Sequence, residues 1–299
     1  MTIVIDPTAG TSAVDVSLDH LVGRVRRELS ERDNINILAS DLTEGSTTIA
    51  LEHSLSSITR GTLISIADEV VHAWDNDVSN KTVNVLRGYD DTLATTHTKG
   101  ALVNIGGTTR KQIVDAINDE LMSVSGKGLY QMKSVAIANY SPAKFSYEIA
   151  ALERSTIYDV QYLAIGTTNE WRHLAGFTFG SNDNVLTLGN YAYYSNTYRV
   201  LYRSGFNRLS VGDDDLQLVS GLQSEAADVL VWGACARLTA NDEFIRNDFR
   251  SQGDTRRPQE VPPGAVGRSS QYFKAIRDER LSEEKDRLRR RFPVRRSGW

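Results

Sequence analysis

The sequence predicts an α+β protein, in which a discontinuous bundle of about four helices carries a small β-barrel-like insert and a larger antiparallel β-sandwich insert. Three observations lead there. Apolar residues fall at three- and four-residue spacing in four separate stretches, as amphipathic helices require. Between the first and second stretches, and again between the second and third, the spacing changes to two, the period of half-buried strands. Turn residues interrupt both alternating tracts often, and strands this short suit a small barrel or sandwich.

Residues 1–17 form an N-terminal arm with Pro7 and Gly10 among small polar residues, extended unless a neighbouring subunit orders it. The first helix candidate spans 18–31. Leu18, Leu21, Val22, Val25 and Leu29 lie on one stripe, while Arg24, Arg26, Arg27 and Glu28 lie largely off it. The Ser17 hydroxyl is placed to cap this helix by accepting from an orphan backbone N–H. From 34 to 105 the runs Thr48–Leu51, Thr62–Ile66, Val70–Trp74 and Lys81–Leu86 read as strands. They are separated by Gly61, the pair Asp68-Glu69, Asp75-Asn76-Asp77 and Arg87-Gly88.

Thr109 with Gln112 three positions later is a capping box, in which each residue satisfies the other's backbone N–H. Ile113, Ile117, Leu121 and Val124 mark the helical face behind it, and Gly126 is a natural stop. The tract 129–212 turns β again. Its runs are Ser134–Asn139, Phe145–Leu152, Ile157–Ile165, Glu170–Phe179, Val185–Tyr193 and Tyr198–Tyr202, with turns at Gly166, Gly180, Gly189 and Ser181–Asn184.

Asp213-Asp214-Asp215 then sits where acidic residues favour a helix N-terminus. Leu216, Val219, Leu222, Ala226, Val229, Leu230, Gly233 and Ala236 predict one helix of about six turns. A Gly- and Pro-rich loop, 251–267, leads to a last helix over 270–291. Its stripe of Phe273, Ile276, Leu281, Leu288 and Phe292 is thin. Glu283 with Arg287 and Asp286 with Arg290 are i,i+4 pairs, each supporting an exposed helix by about 0.3–0.5 kcal/mol. A helix so polar needs a partner surface, or it projects. Segments 18–33, 106–128 and 213–291 together would form a helical platform, followed by a basic tail, 292–299.

With 299 residues the chain can build a large core without metal or disulfide, and its single cysteine, Cys235, excludes a disulfide framework. Apolar runs such as Val229–Trp232 fall far short of the ~20 residues that span a bilayer. The N-terminus lacks the basic and apolar regions of a signal peptide. The expectation is a soluble chain made in the cytoplasm, with no membrane segment. Its net charge of −4 is unevenly distributed: residues 274–299 hold ten Lys/Arg and five Asp/Glu, a local +5, which leaves −9 for the remainder. A basic end on an acidic body points to a partner the body does not share, either nucleic acid or an acidic protein surface. A solvated arginine-rich helix face accounts for the same charges without one.

Motifs of catalysis are missing. The sequence holds no phosphate-binding Gly-rich loop, no His-Glu-x-x-His and no Gly-x-Ser-x-Gly. His20, His53, His72, His97 and His173 never pair at helical spacing. His72 with Asp68 and Glu69 imitates a metal cluster, but on a two-residue period Asp68 and His72 share a face while Glu69 lies opposite. Cys235, inside the most apolar helix, reads as a buried, inert thiol. No enzymatic activity, metal or cofactor is expected. Trp171, Tyr191, Tyr193, Tyr194, Tyr198 and Tyr202 gather in the second β tract. Trp171, Tyr191 and Tyr193 could present a surface for sugar rings or bases. Cross-strand aromatic pairing, the simpler reading, needs no ligand.

Three segments resemble neck proteins of tailed bacteriophages: Gly61-Thr-Leu-Ile-Ser-Ile-Ala-Asp-Glu-Val-Val-His-Ala-Trp74, Thr82-Val-Asn-Val-Leu-Arg-Gly-Tyr-Asp-Asp-Thr-Leu-Ala-Thr-Thr-His97 and Gly100-Ala-Leu-Val103. The C-terminal third is similar to phage head-to-tail adaptors: an alanine-rich helix over Ala226–Ala240, a loop of Arg, Pro and Gly, and a charged helix closing on Arg289-Arg290-Arg291-Phe292-Pro293. The two likenesses cover about half the chain, and the 129–212 tract has no counterpart in the smallest adaptors. The resemblance implies a structural virion protein of the neck between capsid and tail, assembled in the host cytoplasm. It would form a homo-oligomeric ring, commonly a dodecamer, between the portal protein and a stopper or tail-completion protein. Portal docking would fall to Arg289, Arg290, Arg291, Arg295, Arg296 and Trp299, where arginine offers bidentate pairing to an acidic neighbour. An acidic body would let DNA pass through the lumen without sequence-specific binding, since phosphate affinity depends on cations. The alternative is another tail or neck component whose sandwich binds carbohydrate or a receptor.

Overall fold

The computed structural model describes residues 16–29, 35–137, 141, 144–149, 156–164, 166–167, 170–174, 176–180, 184–189, 197–246 and 265–293. The predicted fold class is the one observed: three β or helical units, each with its own apolar core.

The platform gathers segments far apart in sequence. Helix α1 (Leu18–Glu28) buries Leu18, Leu21, Val22 and Val25, the predicted stripe, and the Ser17 hydroxyl accepts from the His20 N–H at 3.2 Å. Helix α2 (Arg110–Gly126) opens with the complete Thr109–Gln112 capping box and ends at Gly126. Helices α3 (Ala227–Arg246) and α4 (Ala265–Arg291) complete the set, α4 starting five residues before its predicted position. Val25, Ile113, Ile117, Leu121, Leu230 and Ala234 are buried in one cluster, with Leu129, Phe206 and Leu209 filling it from the connecting segments. Burying each large aliphatic side chain contributes about 1.5–3 kcal/mol, so these contacts between distant segments hold the platform together.

The apolar stripe over 216–236 is interrupted, unlike the single helix predicted. A π-helical turn, Leu216–Ser220, is followed by a left-handed Gly221 and a 3-10 turn, Ser224–Ala226, before α3 begins. Three local bonds favour the break. The Asp215 carboxylate caps the Leu218 N–H at 2.8 Å. The Leu216 N–H is drawn to the Val16 carbonyl at 2.9 Å. The Ser220 hydroxyl donates to the Leu216 carbonyl and accepts from the Leu222 N–H. Leu216, Leu222, Ala226, Val229 and Leu230 all remain buried in the same cluster. The three-to-four spacing therefore recorded which residues face the core, and it did not require one continuous helix. Of the triple acid, the Asp215 carboxylate caps the π-helical turn and the Asp214 carboxylate accepts the Ser210 and Val211 N–H groups, while the backbone carbonyls of Asp214 and Gly212 accept the Leu18 and Asp19 N–H groups that open α1. Gly221 has φ +82°, and a Cβ there would meet the Gln131 side chain. Gly221→Ala is expected to cost about 1–2 kcal/mol from the left-handed backbone alone, read as a lowered midpoint in chemical denaturation.

The first β unit comprises β1 (Ile35–Ile37), β2 (Thr48–Ala50), β3 (Leu63–Ile66), β4 (Glu69–Asp77), β5 (Thr82–Tyr89) and β6 (Leu102–Ile105), ordered β1-β6-β3-β4-β5-β2 with every pairing antiparallel. The two edge strands meet through a bridge between Leu38 and Leu51 and through the Ala39 N–H on the Ala50 carbonyl, so the sheet curls shut around its core. Ile49, Ile64, Val71, Val83 and Val103 fill the interior. Glu69 opens β4 and is buried, rather than lying in the turn where the sequence reading put it.

The second β unit packs two sheets. One has the order β10-β9-β13-β7, from β7 (Gln131–Ala136), β9 (Thr156–Leu163), β10 (Trp171–His173) and β13 (Tyr198–Ser204). The other, β11-β12-β8, comes from β8 (Ser146–Glu148), β11 (Phe177–Gly180) and β12 (Val185–Leu188). Tyr147, Val160, Leu186, Tyr198 and Val200 form the shared core. The predicted run Glu170–Phe179 splits into β10 and β11, which join different sheets. Among the described residues, no helix is long and apolar enough to cross a membrane.

Candidate docking surface

Helix α4 finds its partner surface within the chain. Phe273 stacks on Trp232 of α3 with ring centroids 5.8 Å apart, Leu281 is buried, and the Ser270 hydroxyl donates to the Ala236 carbonyl at 2.8 Å. Arg277, in a position the sequence marks as polar, turns inward instead. Its guanidinium lies 3.1 Å from the fully buried carboxylate of Glu120, which also takes Arg237 at 3.0 Å and faces Lys127 at 4.0 Å. One carboxylate on α2 thus holds α3 and α4. Burial lowers the pKa of Lys127, with Glu120 opposing that shift.

The C-terminal half of α4 is held differently. Arg287 pairs with Glu225 at 3.0 Å and with Glu284 at 3.6 Å. The predicted i,i+4 pairs give way to i,i+3 and tertiary ones: Arg280 with Glu283, Arg289 with Asp286, and Arg287 with Glu225. The arginines are long enough to reach whichever carboxylate the packing leaves nearest. Leu288 packs partly buried against the platform core. Arg289, Arg290 and Arg291 occupy successive positions about 100° apart, so they fan around the helix. All three are exposed, Arg289 by 75 % of its side chain. As cations in the last turn they also complement the helix dipole.

Beyond the helix the chain is pinned to the sandwich. Phe292 meets Tyr158 of β9 edge-on at 6.1 Å, and the Tyr158 hydroxyl donates to the Pro293 carbonyl at 2.6 Å. Arg291 lies against the Phe292 ring, 5.6 Å from its centroid. A cavity of about 300 Å3 opens beside this end, lined by Tyr130, Gln131, Leu218, Arg287, Arg291 and Phe292 among others. Of the residues predicted to dock on a partner, Arg289, Arg290 and Arg291 are thereby gathered at one exposed helix end. Arg295, Arg296 and Trp299 lie outside the described residues.

The aromatic surface is only partly described, because Tyr191, Tyr193 and Tyr194 also lie outside those residues. Trp171 is half-buried, and the Arg199 guanidinium sits 4.0 Å from its ring centroid. Tyr198 and Tyr202 are buried in the sandwich core, with Tyr162 and Tyr198 in ring contact at 6.4 Å. Those members act as cross-strand packing.

The segments that carry the phage resemblance converge on Glu69, which the sequence reading passed over as a turn residue. Arg87 grips its carboxylate with two nitrogens, at 2.5 and 2.7 Å, and His97 Nε2 lies 2.9 Å away. The N–H groups of Gly88 and Thr95 donate to the same carboxylate at 3.2 Å. Arg87 also reaches the carbonyls of Thr43 and Thr95, and Thr92 accepts from the Val70 N–H. Gly88 has φ +61°, and a Cβ there would come within 3.0 Å of the Thr92 carbonyl oxygen. Burial alone would raise the Glu69 pKa, but Arg87, His97 and the two N–H groups together hold it at about 2. The Arg-Gly…Thr…His pattern is thus a structural clamp across the barrel. His72 and Asp68 take no part: His72 rests against Tyr89, and Asp68 pairs with Arg110, which also holds Asp19 of α1. Among the described residues no group of His, Cys, Asp and Glu is arranged to hold a metal ion. Cys235 is buried, its thiol directed to the Val25 carbonyl. Nothing in the sequence signalled this clamp, because Asp68-Glu69 and Arg87-Gly88 both read as turns and Lys81 is the nearer cation in a predicted strand.

No protein-family model matches the sequence, and a search of curated proteins finds no match.

Proposed function

We propose that this chain is a structural connector of a tailed-phage neck, an adaptor that forms a ring beneath the portal protein and joins it to a stopper or tail. The observation that carries the reading is the cationic end of α4. It is anchored at its base by Arg277 and Glu120 and pinned at its tip by Tyr158, yet it presents Arg289, Arg290 and Arg291 to solvent. Such an end, on a body that is otherwise acidic, suits an acidic protein surface, and the backbone that carries it is already ordered before binding. The resemblance of segments 61–74, 82–97 and 100–103 and of the C-terminal third to phage neck proteins supports the same assignment. In this role the chain performs no reaction. An acidic body would favour passage of DNA without adhesion.

Replacing Arg289 and Arg290 by glutamate, or removing residues 292–299, is expected to abolish binding to the cognate portal in native mass spectrometry. Stability should barely change with the charge reversal, since exposed ion pairs contribute about 0–1 kcal/mol. Unchanged portal binding by both variants would overturn the assignment.

A further inference from the structure

One face of the sheet β10-β9-β13-β7 packs on the sandwich core through Val160, Tyr198 and Val200. Alternation along the strands turns Asp159, Gln161 and Arg199 to the opposite face. There Gln161 stands between His173 on β10 and Arg199 on β13, the cross-strand neighbour of both. The buried Asp159 carboxylate meets His173 Nδ1 at 2.5 Å and accepts from the Gln161 amide at 2.9 Å. The Gln161 side-chain carbonyl accepts in turn from Arg199 Nε at 2.9 Å, and the guanidinium lies over the Trp171 ring. Two groups are left over. Among the described residues no carboxylate pairs with Arg199 and its terminal nitrogens carry no bond, whereas Arg87, Arg237, Arg277 and Arg287 each meet an acid. Burial lowers the Arg199 pKa, and the attraction of Asp159 opposes that shift. His173 Nε2 is likewise without a partner among the described residues, on a side chain that is 37 % exposed. Arg199 and Trp171 are both partly exposed beside it.

We propose that this face binds an acidic sugar, a uronic acid unit of a polysaccharide, with its carboxylate on Arg199 and a ring hydroxyl on His173. Because Gln161 occupies Nε, the free edge of the guanidinium is its pair of terminal nitrogens, which matches the two oxygens of a carboxylate. The C–H groups of a sugar ring suit the uncovered part of the Trp171 indole. His173 and Arg199 stand two strand spacings apart, about 9–10 Å at the backbone. A pyranose with a carboxylate on one side and hydroxyls on the other bridges two side chains at that separation, whereas an Asp or Glu side chain offers its carboxylate alone. Arg199 is already held by Gln161 and Trp171, so little of its ordering is left to binding. The site uses neither the arginine end of α4 nor the portal contact, and it stands or falls apart from the connector reading.

The test is isothermal titration of the full chain with a galacturonic acid tetramer, a neutral galactose tetramer and a glutamate tetrapeptide. Wild type should bind the galacturonic acid tetramer in preference to the other two, and added salt should weaken that binding. Arg199→Gln should weaken it by about tenfold or more. Arg199→Lys keeps the charge but loses the fork, and it should forfeit most of the same affinity. Arg289→Glu with Arg290→Glu should leave binding unchanged, which separates this face from the helix end. Circular dichroism melting checks folding, and Arg199→Lys carries the comparison should Arg199→Gln unfold. No binding of the galacturonic acid tetramer, equal binding of the neutral tetramer or the peptide, or full binding by both Arg199 variants would each overturn the proposal. Loss of binding on reversing Arg289 and Arg290 would move the ligand to α4 and overturn it as well.

Discussion

Glu69→Ala is expected to destabilise the protein by about 3–5 kcal/mol, among the largest effects of any single substitution. The reason lies in what the substitution leaves behind. The Arg87 side chain is only 6 % exposed and donates two of its bonds to Glu69, so alanine strands a buried guanidinium without its counter-charge. It also orphans the N–H groups of Gly88 and Thr95, which close the loop leading to His97. The pH dependence has a definite sign. With the folded pKa at about 2 and the ordinary value at 4.5, the ionised clamp stabilises the fold fully above pH 4.5. That stabilisation fades as pH falls from 4.5 towards 2, and at 1.36 kcal/mol per pKa unit it amounts to about 3 kcal/mol. Urea denaturation of wild type and Glu69→Gln should therefore show a gap that narrows by this amount across that window. A gap independent of pH would mean that Glu69 titrates normally and the clamp contributes little.

Glu120→Ala should cost about 3 kcal/mol or more, by the same reasoning applied to the helices. Arg277, 8 % exposed, would keep only its bond to the exposed Asp278, while Arg237 and Lys127 would lose their shared partner. Gly233 makes the site unusually tight. A Cβ there would fall 2.2 Å from Glu120 Cγ, closer than real carbon atoms approach, so α3 passes this side chain only because position 233 has none. Gly233→Ala is accordingly destabilising on its own. The double variant Gly233→Ala with Glu120→Ala should cost less than the sum of the two, since the second change removes the atom the first collides with. Chemical denaturation of the four proteins measures the coupling. Simple additivity would show that the helices move apart to relieve the contact. Because Glu120 ties α4 to the platform, the proposed connector role predicts that its loss also weakens portal binding without touching an arginine of the helix end.

Much of the architecture was legible because it rests on short-range rules. Ser17, Thr109 with Gln112, and Asp215 cap their segments as their positions imply, and the stripe of α1 is buried from Leu18 to Val25, with Leu29 partly buried just past the helix end. The exposed arginines 289–291 were likewise readable from charge density alone. The partners of buried charges were not. Glu69 and Arg87 are separated by a strand and a turn, and Glu120 meets Arg237 and Arg277 from well over a hundred positions away. A carboxylate in a sequence carries no mark of the cation it will face.

Periodicity, capping residues and turn chemistry thus determined by themselves that this chain alternates helical and β units, roughly where each begins, and which face of each is apolar. They act through bonds within a few residues, so each can be read from a local window. Only the tertiary structure decided that the 216–236 stripe breaks at Gly221, that the barrel closes between Leu38 and Leu51, and that Arg277 turns inward while Arg289 stays out. Those outcomes depend on which surfaces arrive beside one another when distant segments share a core, and burial, which sets the cost of every unpaired charge, exists only once they have.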